Sequence, residues 1–500
     1  MAGYILAHDI GTSGNKASLF RTDGTLEDTR TVGYKTYYPH RGWAEQNPLD
    51  WWKAVCQATK ELMKDRESDC IKGIAVSGQM MGCLPLDKAG NPLCNSIIWS
   101  DARAEADAKL LDDRLGKEYF NKHAGQPLSP TYPLPKIMWL KRTYPELLKE
   151  TDCFLQSKDF INFKLTGAKY TDPTDAAYTL AYDIQKGDWS DEILEVADIP
   201  KSLFPKVVDC ETIVGYVTEE AAEECGLVAG IPVVASAGDG SAAHLGGISV
   251  EQGDTYICLG SSTWIQSTTD KLVFDPKGRM QSEPHVLKNK YAYLGTMQAG
   301  GMAHSWAQSS LFKKTFSYEE IDQLVMQTEP GANGVIFMPY LLGERSPWYD
   351  TEVNGAFLGL RQETEAGHIL RSIMEGVGFN LNILLQIIRK DVKVDHIVLI
   401  GGGARGKIWK QILADILGVP MWIPDNVEAG TSLGAAMIAG VGCGIFRDYS
   451  VVKDFLAIRE IVEPRMEYTA LYQKQAKLFT DAYYALHEIN HELSELYNDV

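Results

Sequence analysis

Five hundred residues exceed what one compact core holds, so two or more domains are expected. Hydrophobic residues at 45% and charged residues at 23% match a soluble globular protein, and no apolar run approaches the roughly 18 residues of a membrane span. A formal charge of −18 disfavours nucleic acid or a membrane as partner, yet allows an anionic ligand held locally by backbone N–H groups and a metal. The chain then opens on an apolar stretch over residues 4–10, read as a buried strand, which runs into the turn Gly11-Thr12-Ser13-Gly14. Residues 15–20 and 25–36, separated by Thr22-Asp23-Gly24, complete a β-meander. Residues 48–66 have helical spacing, with Asn47 as N-cap and Pro48 at the first helical position. Residues 71–77 form a short apolar strand that leads to Gly78-Gln79-Met80-Met81-Gly82. Meander, helix and strand predict an α/β domain with a mixed sheet.

The same order returns in the second half. Residues 254–259 predict a strand ending in Gly260-Ser261-Ser262-Thr263, with further strands at 264–268 and near 291–296. A long amphipathic helix over 364–389 precedes a strand at 396–400, which ends in Gly401-Gly402-Gly403 and leads to a helix over 407–417. Ile231-Pro232-Val233-Val234 before Gly238-Asp239-Gly240 matches Val419-Pro420-Met421-Trp422 before Gly430-Thr431-Ser432-Leu433-Gly434, each followed by a small-residue helix. A period of half the chain predicts two homologous domains facing one another, 1–248 and 249–500, with the boundary near 246–253. The tail over 464–496 has a helical pattern. Nine dispersed cysteines without a CxxC pair argue against a disulfide framework or a cysteine zinc site. The N-terminus lacks the basic region of a signal peptide, so a cytoplasmic location is expected.

Several turns carry candidate chemistry. Asp9 closes a buried strand, and two glycines flank the hydroxyls of Thr12 and Ser13 in the next turn. Converging backbone N–H groups and hydroxyls suit a phosphate, although a plain hairpin would use the same residues. Gly260-Ser261-Ser262 is the equivalent turn of the second half, and facing domains would aim both into one cleft. Gly401-Gly402-Gly403, followed by Arg405, leaves no side chains, so a flat base or ribose could lie on the backbone. The small residues around Gly430 and Gly434 suit close helix packing. Asp239 sits between two glycines at a strand end, where it serves equally as helix cap or as base for a hydroxyl. Around these, Trp99 offers a face for a sugar, and Gln79, Asp101 and Arg103 offer hydroxyl contacts; each residue type also occurs in ordinary cores and ion pairs.

These pieces, in this order, resemble the FGGY family of carbohydrate kinases, closest to its xylulose-kinase branch. The matching stretches are residues 9–13, Trp43-Ala44-Glu45-Gln46-Asn47-Pro48, Gly78-Gln79-Met80, Ile98-Trp99-Ser100-Asp101, residues 134–140 and residues 172–177. Gly260-Ser261-Ser262, residues 355–360 and Gly401-Gly402-Gly403 add the second half. The resemblance implies an actin-like (ribonuclease H-like) fold in each domain, with ATP and Mg²⁺ in the cleft between them. It implies Asp239 as general base and metal partner, with Asp9 organising magnesium. Gly11, Thr12, Ser13, Gly260, Ser261 and Ser262 would then hold phosphates, and Gly401, Gly402, Gly403 and Arg405 the adenosine. Gln79, Met80, Met81, Trp99, Asp101, Asp239 and Gly240 would line the pocket for a sugar or polyol. A homodimer is the assembly entertained.

Two positions depart from that branch. Its Gly-Gln-Met-His-Gly reads Gly-Gln-Met-Met-Gly here, with Met81 in place of histidine, and its Asp-Asn reads Asp239-Gly240. Methionine donates no hydrogen bond and glycine has no side chain. A missing partner can change discrimination by up to ~10⁴, so ketoses and polyols other than D-xylulose (ribulose, ribitol, erythritol, glycerol) stay open. A sensor that has lost phosphotransfer is the rival from another class. Retention of Asp9, Asp239 and both hydroxyl turns argues against it.

Overall fold

The computed structural model describes residues 3–425, 430–455 and 457–498. Its first sheet begins with the expected meander, β1 (Tyr4–Ile10), β2 (Gly14–Arg21) and β3 (Leu26–Gly33), all antiparallel. It is extended by β4 (Ile71–Gly78), β5 (Ile213–Tyr216) and β6 (Pro232–Val234), giving the order β5-β6-β4-β1-β2-β3. Strands β1, β4 and β6 run parallel, and β5 closes the edge antiparallel to β6.

The second sheet repeats this plan. It comprises β7 (Thr255–Leu259), β8 (Thr263–Thr269), β9 (Gln281–Pro284), β10 (Tyr291–Met297), β11 (Ile397–Ile400), β12 (Met421–Pro424) and β13 (Ile458–Val462), in the order β9-β10-β8-β7-β11-β12-β13. Here β7, β11 and β12 are parallel, and β13 is the antiparallel edge. Each half is therefore a meander joined to two further parallel strands and one antiparallel strand. The chain is a mixed α/β protein of two such units, as the duplicated pattern predicts.

The helices follow local rules. In α1 (Pro48–Met63) Asn47 accepts a hydrogen bond from the Leu49 N–H at 3.0 Å, and Pro48 fills the first position. Trp51, Val55, Ala58 and Leu62 recur at helical spacing and bury one face. Helices Glu105–Leu115 and Pro133–Thr143 belong to a helical region inserted between β4 and β5 with a core of its own, whereas helix Ser157–Thr166 packs Phe160, Ile161 and Leu165 into the core of the first sheet. Further along lie α2 (Asp239–Gly246), α3 (Gly301–Trp306), α4 (Ala366–Ile388), α5 (Trp409–Leu417), α6 (Gly430–Gly442) and α7 (Thr469–Asn498). Helix α4 is buried along most of its length. Its Arg371 and Glu375 form a buried pair at 2.7 Å, shared with the Tyr472 hydroxyl of α7.

The two small-residue helices join the halves. A Cβ on Gly246 would lie 1.9 Å from the Gly430 carbonyl, and one on Gly434 would lie 1.9 Å from that of Ala242. Helices α2 and α6 thus approach to backbone contact, which accounts for their composition. Leu433, Ala436 and Met437 of α6 share an apolar cluster with Ile5, Ala7, Ala75 and Val234 of the first sheet.

Several boundaries shift from the expected ones, and one strand was not foreseen. The third meander strand stops at Gly33 instead of running to residue 36. The helix after the glycine run starts at Trp409, not at residue 407. Gly402–Arg405 wind into a 3₁₀ turn, and Asp322 accepts the Lys407 N–H at 2.9 Å. Strand β9 had no signal, because Gln-Ser-Glu-Pro has no apolar alternation. Among the described residues, no helix is long and apolar enough to cross a membrane.

Candidate active site

Parallel strands place their carboxyl ends side by side, which is where ligands bind in open α/β sheets. In the first half, Asp9 pairs with Ser77, Ile10 with Gly78, and Gly78 bridges to Gly238. The register therefore sets Asp9, Gln79 and Asp239 at the ends of three adjacent strands. The turn after β1 closes by the Gly11 N–H donating to the Gly14 carbonyl at 3.0 Å, with the Tyr34 hydroxyl on the Gly11 carbonyl. Thr12 is half-buried and Ser13 exposed.

Gln46 ties this turn to its neighbours. Its Nε2 donates to the Thr12 carbonyl at 2.7 Å and to the Thr36 hydroxyl at 2.8 Å. Its Oε1 accepts from Gln79 at 2.7 Å and from the Trp51 indole at 2.9 Å. Sequence reasoning placed Gln46 in a matching stretch without a task, and its buried position between two motifs supplies one. Trp99 is 40% exposed and its indole N–H donates to Thr12 Oγ1 at 2.9 Å, so its ring stands at the mouth of the turn. Asp101 is fully buried. One oxygen accepts the Ala44 N–H at 2.6 Å, and both engage the Arg103 guanidinium, which stacks over Trp43. The carboxylate is thus committed to an ion pair that braces the loop.

Asp239 begins α2, and its Oδ1 accepts the Gly240 N–H at 2.7 Å. Burial, reinforced by the charge of Asp9, pushes its carboxyl up to about 7. Burial also raises the Asp9 carboxyl, and its Oδ1 is a buried acceptor with no hydrogen-bond partner. Two desolvated carboxylates side by side are costly alone, so the pair fits a divalent cation. Met80, not Met81, covers this aspartate's flanks. A Cβ on Gly238 would meet the Met80 side chain at 2.6 Å, whereas one on Gly240 would find only its sulfur, at 3.8 Å. Met81 has a left-handed φ of 64° and is half-buried against the helical region, while its carbonyl accepts from Lys136 at 3.0 Å.

In the second half the Gly260-Ser261-Ser262 turn is held from behind. Gly301 N–H donates to the Gly260 carbonyl at 2.7 Å, and those of Gly300 and Met302 donate to the Ser261 carbonyl at 3.0 and 3.1 Å. Because Cys258 pairs with Ile400, the glycine run lies beside this turn. Gly401 has φ 90°, and a Cβ there would sit 2.8 Å from the Leu259 carbonyl; one on Gly403 would sit 2.4 Å from Leu259 Cγ. Gly402 is exposed and a Cβ there would touch nothing within 4 Å. Arg405 is exposed at the end of the 3₁₀ turn.

The halves meet at Asp239. The Tyr256 hydroxyl lies 3.5 Å from the Gly240 carbonyl, and burial together with the Asp239 charge pushes the Cys258 thiol up to about 12. Glu283, on β9, is a further residue of this seam. It is 2% exposed and accepts from Ser241 at 3.3 Å and Gln266 at 2.8 Å. Burial pushes its carboxyl up to about 7, against the pull of those hydrogen bonds. It lay outside the sequence reading because the strand that carries it was not visible.

The comparisons with known proteins agree with this architecture. Residues 4–246 match the model of the N-terminal domain of the FGGY family of carbohydrate kinases, and residues 255–443 that of its C-terminal domain. The xylulose kinase of Lactococcus lactis is 32% identical over 503 residues, covering 99% of each chain. The ligand-bound xylulose kinase structure from Lactobacillus acidophilus superposes with a TM-score of 0.92 at 27% identity, covering 97% of this chain and 98% of that one. The gluconate kinase structure from the same organism gives a TM-score of 0.92 at 26% identity, with the same coverage. With both domain models matched in order along a duplicated actin-like fold, the chain belongs to the FGGY family of carbohydrate kinases and is a sugar phosphotransferase.

Proposed function

We propose that this chain transfers the γ-phosphoryl group of ATP to the terminal hydroxyl of D-xylulose, releasing D-xylulose 5-phosphate and ADP. The observation that carries the reading is Asp239. It is a carboxylate at the end of a parallel strand, on the seam between the halves, with its proton affinity raised to about 7. A base whose proton affinity lies near neutral pH can take a proton as the hydroxyl attacks. Its Oδ1 is oriented by the Gly240 N–H, so Oδ2 is the oxygen for the substrate hydroxyl. Phosphoryl transfer asks otherwise for positioning and charge neutralisation. The backbone and hydroxyls of Gly11, Thr12 and Ser13, with those of Gly260, Ser261 and Ser262, supply donors for the phosphates. Gly402 and Gly403 offer bare backbone to the adenosine, with Arg405 beside them. Asp9 and Asp239 would hold Mg²⁺, consistent with the unpartnered Oδ1 of Asp9. When bound, the ion would neutralise phosphate charge.

Support for D-xylulose comes from the names of the relatives, among them the Lactococcus lactis enzyme. A second reading, D-gluconate, is favoured by the equal fold similarity to the gluconate kinase. Trp99 and Gln79 would shape the sugar pocket under either reading, with Met80 packed against Gly238. The test is kcat/KM across D-xylulose, D-ribulose, ribitol, erythritol, glycerol and D-gluconate with ATP. The expected result is the highest value for D-xylulose. A higher value for D-gluconate selects the second reading, and no stimulation by any compound overturns both.

A further inference from the structure

A cluster of ligating side chains lies away from the cleft, where α7 crosses the loop after Gly343-Glu344-Arg345-Ser346-Pro347. His487 and His491 are one turn apart on α7 and therefore share a face. Both point at Asp350, which is only 9% exposed. His491 Nε2 lies 3.1 Å from each Asp350 oxygen, and His487 Nε2 lies 3.6 Å from Oδ2. One ligand atom from each of the three residues lies within 4.8 Å of the others. A tetrahedral zinc ion with bonds of about 2.0–2.1 Å separates its ligands by roughly 3.3 Å. The spacings of the two histidines from Asp350, 3.1 and 3.6 Å, bracket that value.

The surrounding groups are those that a metal site uses to orient its ligands. Glu352 accepts from His491 Nδ1 at 2.9 Å, which leaves Nε2 as the nitrogen turned toward Asp350. The Tyr483 hydroxyl donates to Asp350 Oδ2 at 3.1 Å, and Trp348 stacks on Tyr483 with centroids 3.8 Å apart. A carboxylate behind a ligating histidine fixes its tautomer and raises its basicity. By contrast, the buried trio Asp159, Asp172 and Asp175 surrounds the Lys158 ammonium, at 2.7 Å from Asp172 and 3.2 Å from Asp175, and so has its cation already.

We propose that His487, His491 and Asp350 form a site for one zinc-class divalent transition metal, with Glu352 as a positioning residue and a fourth position open to water. Two imidazoles and one carboxylate are borderline donors, suited to Zn²⁺ or Co²⁺ and poorly to Mg²⁺ or Ca²⁺. The site clamps α7 to the Asp350 loop. That loop pairs through backbone with Glu344, whose carboxylate holds the Gln298 N–H at 2.6 Å. The site is independent of the sugar or nucleotide bound.

The experiment uses the full-length protein without a histidine tag, stripped by a chelator and titrated with Zn²⁺ against a chromophoric competitor. One equivalent is expected on the unaltered protein, lost in His487→Ala and in His491→Ala, and weakened about 10–100-fold in Glu352→Ala, the range for an outer partner. Equal uptake by the unaltered protein and the histidine variants, or no uptake, overturns the proposal. Co²⁺ read on the unaltered protein keeps the test independent of how the variants fold. Visible bands of a tetrahedral nitrogen–oxygen site are expected, and near-ultraviolet thiolate bands would assign the metal to cysteines and overturn it.

Discussion

The two halves of this chain solve the same problem at the same place with opposite means. At the strand ends of the first half, backbone register gathers side chains: Asp9, Gln79 and Asp239 come together, and two carboxylates are held at raised proton affinity. At the strand ends of the second half, the same topology removes side chains. Gly401 and Gly403 lie against Leu259, and the carbonyls of Gly260 and Ser261 accept the N–H groups of Gly300, Gly301 and Met302. On the function proposed above, one half would serve proton and charge chemistry and the other would present backbone to the nucleotide. The division fits phosphoryl transfer, where one partner needs a base and the other needs holding.

The comparison can be broken from either side. The largest effect is expected at the carboxylate. Asp239→Ala lowers kcat by roughly 10²–10⁴, the range for a lost general base, and near-normal turnover would remove it from that position. On the glycine side, Gly401→Ala forces a left-handed residue and a 2.8 Å approach to the Leu259 carbonyl. A cost of about 1–3 kcal/mol then appears as a lowered unfolding temperature and at least tenfold weaker ATP binding. Gly402→Ala, with open space at its Cβ, leaves the unfolding temperature unchanged and weakens ATP alone. If both variants behave alike, the run is not a ligand surface.

Glu283 sharpens the seam between the halves. Its carboxyl is raised in the folded state from 4.5 to about 7, so the native form favours the protonated acid. The stability this contributes is fully present below pH ~4.5 and is lost as pH rises through about 7, amounting to roughly 3 kcal/mol. Glu283→Gln, which stays neutral, is therefore expected to unfold at a higher temperature than the unaltered protein at pH 8, with the gap closing by pH 5. A constant gap would mean that Glu283 does not titrate with folding. The smallest effect is on specificity. A Cβ at Gly240 meets only the Met80 sulfur, at 3.8 Å, and Gly240→Asn places an amide next to the base, so the preference for D-xylulose over D-ribulose is expected to rise several-fold. An unchanged ranking shows that position 240 does not read the sugar.

Much of this was legible in the sequence. Apolar runs ending in glycine turns marked β1, β4, β7 and β11, because buried parallel strands read as continuous hydrophobic stretches. The repeat of those runs predicted two domains, and the small residues around Gly430 and Gly434 pointed to close helix packing, though not to α2 as the partner. What escaped depends on long-range packing. Glu283 rides on a four-residue strand with no periodicity, and Gln46 links turns that only the fold brings together. Asp101 read as a candidate sugar contact, but local sequence could not show that the Ala44 N–H and Arg103 occupy its oxygens. Met81 took its importance from an aligned histidine, while it is the neighbouring Met80 that packs over Gly238.

The measurement closest to the central claim is ATP affinity and D-xylulose-dependent ADP release, taken on one preparation of Asp239→Ala beside the unaltered protein. If the halves divide the work as described, the variant binds ATP within a few-fold of normal and releases almost no ADP. Turnover that survives, or ATP affinity that falls in step with it, would contradict the account.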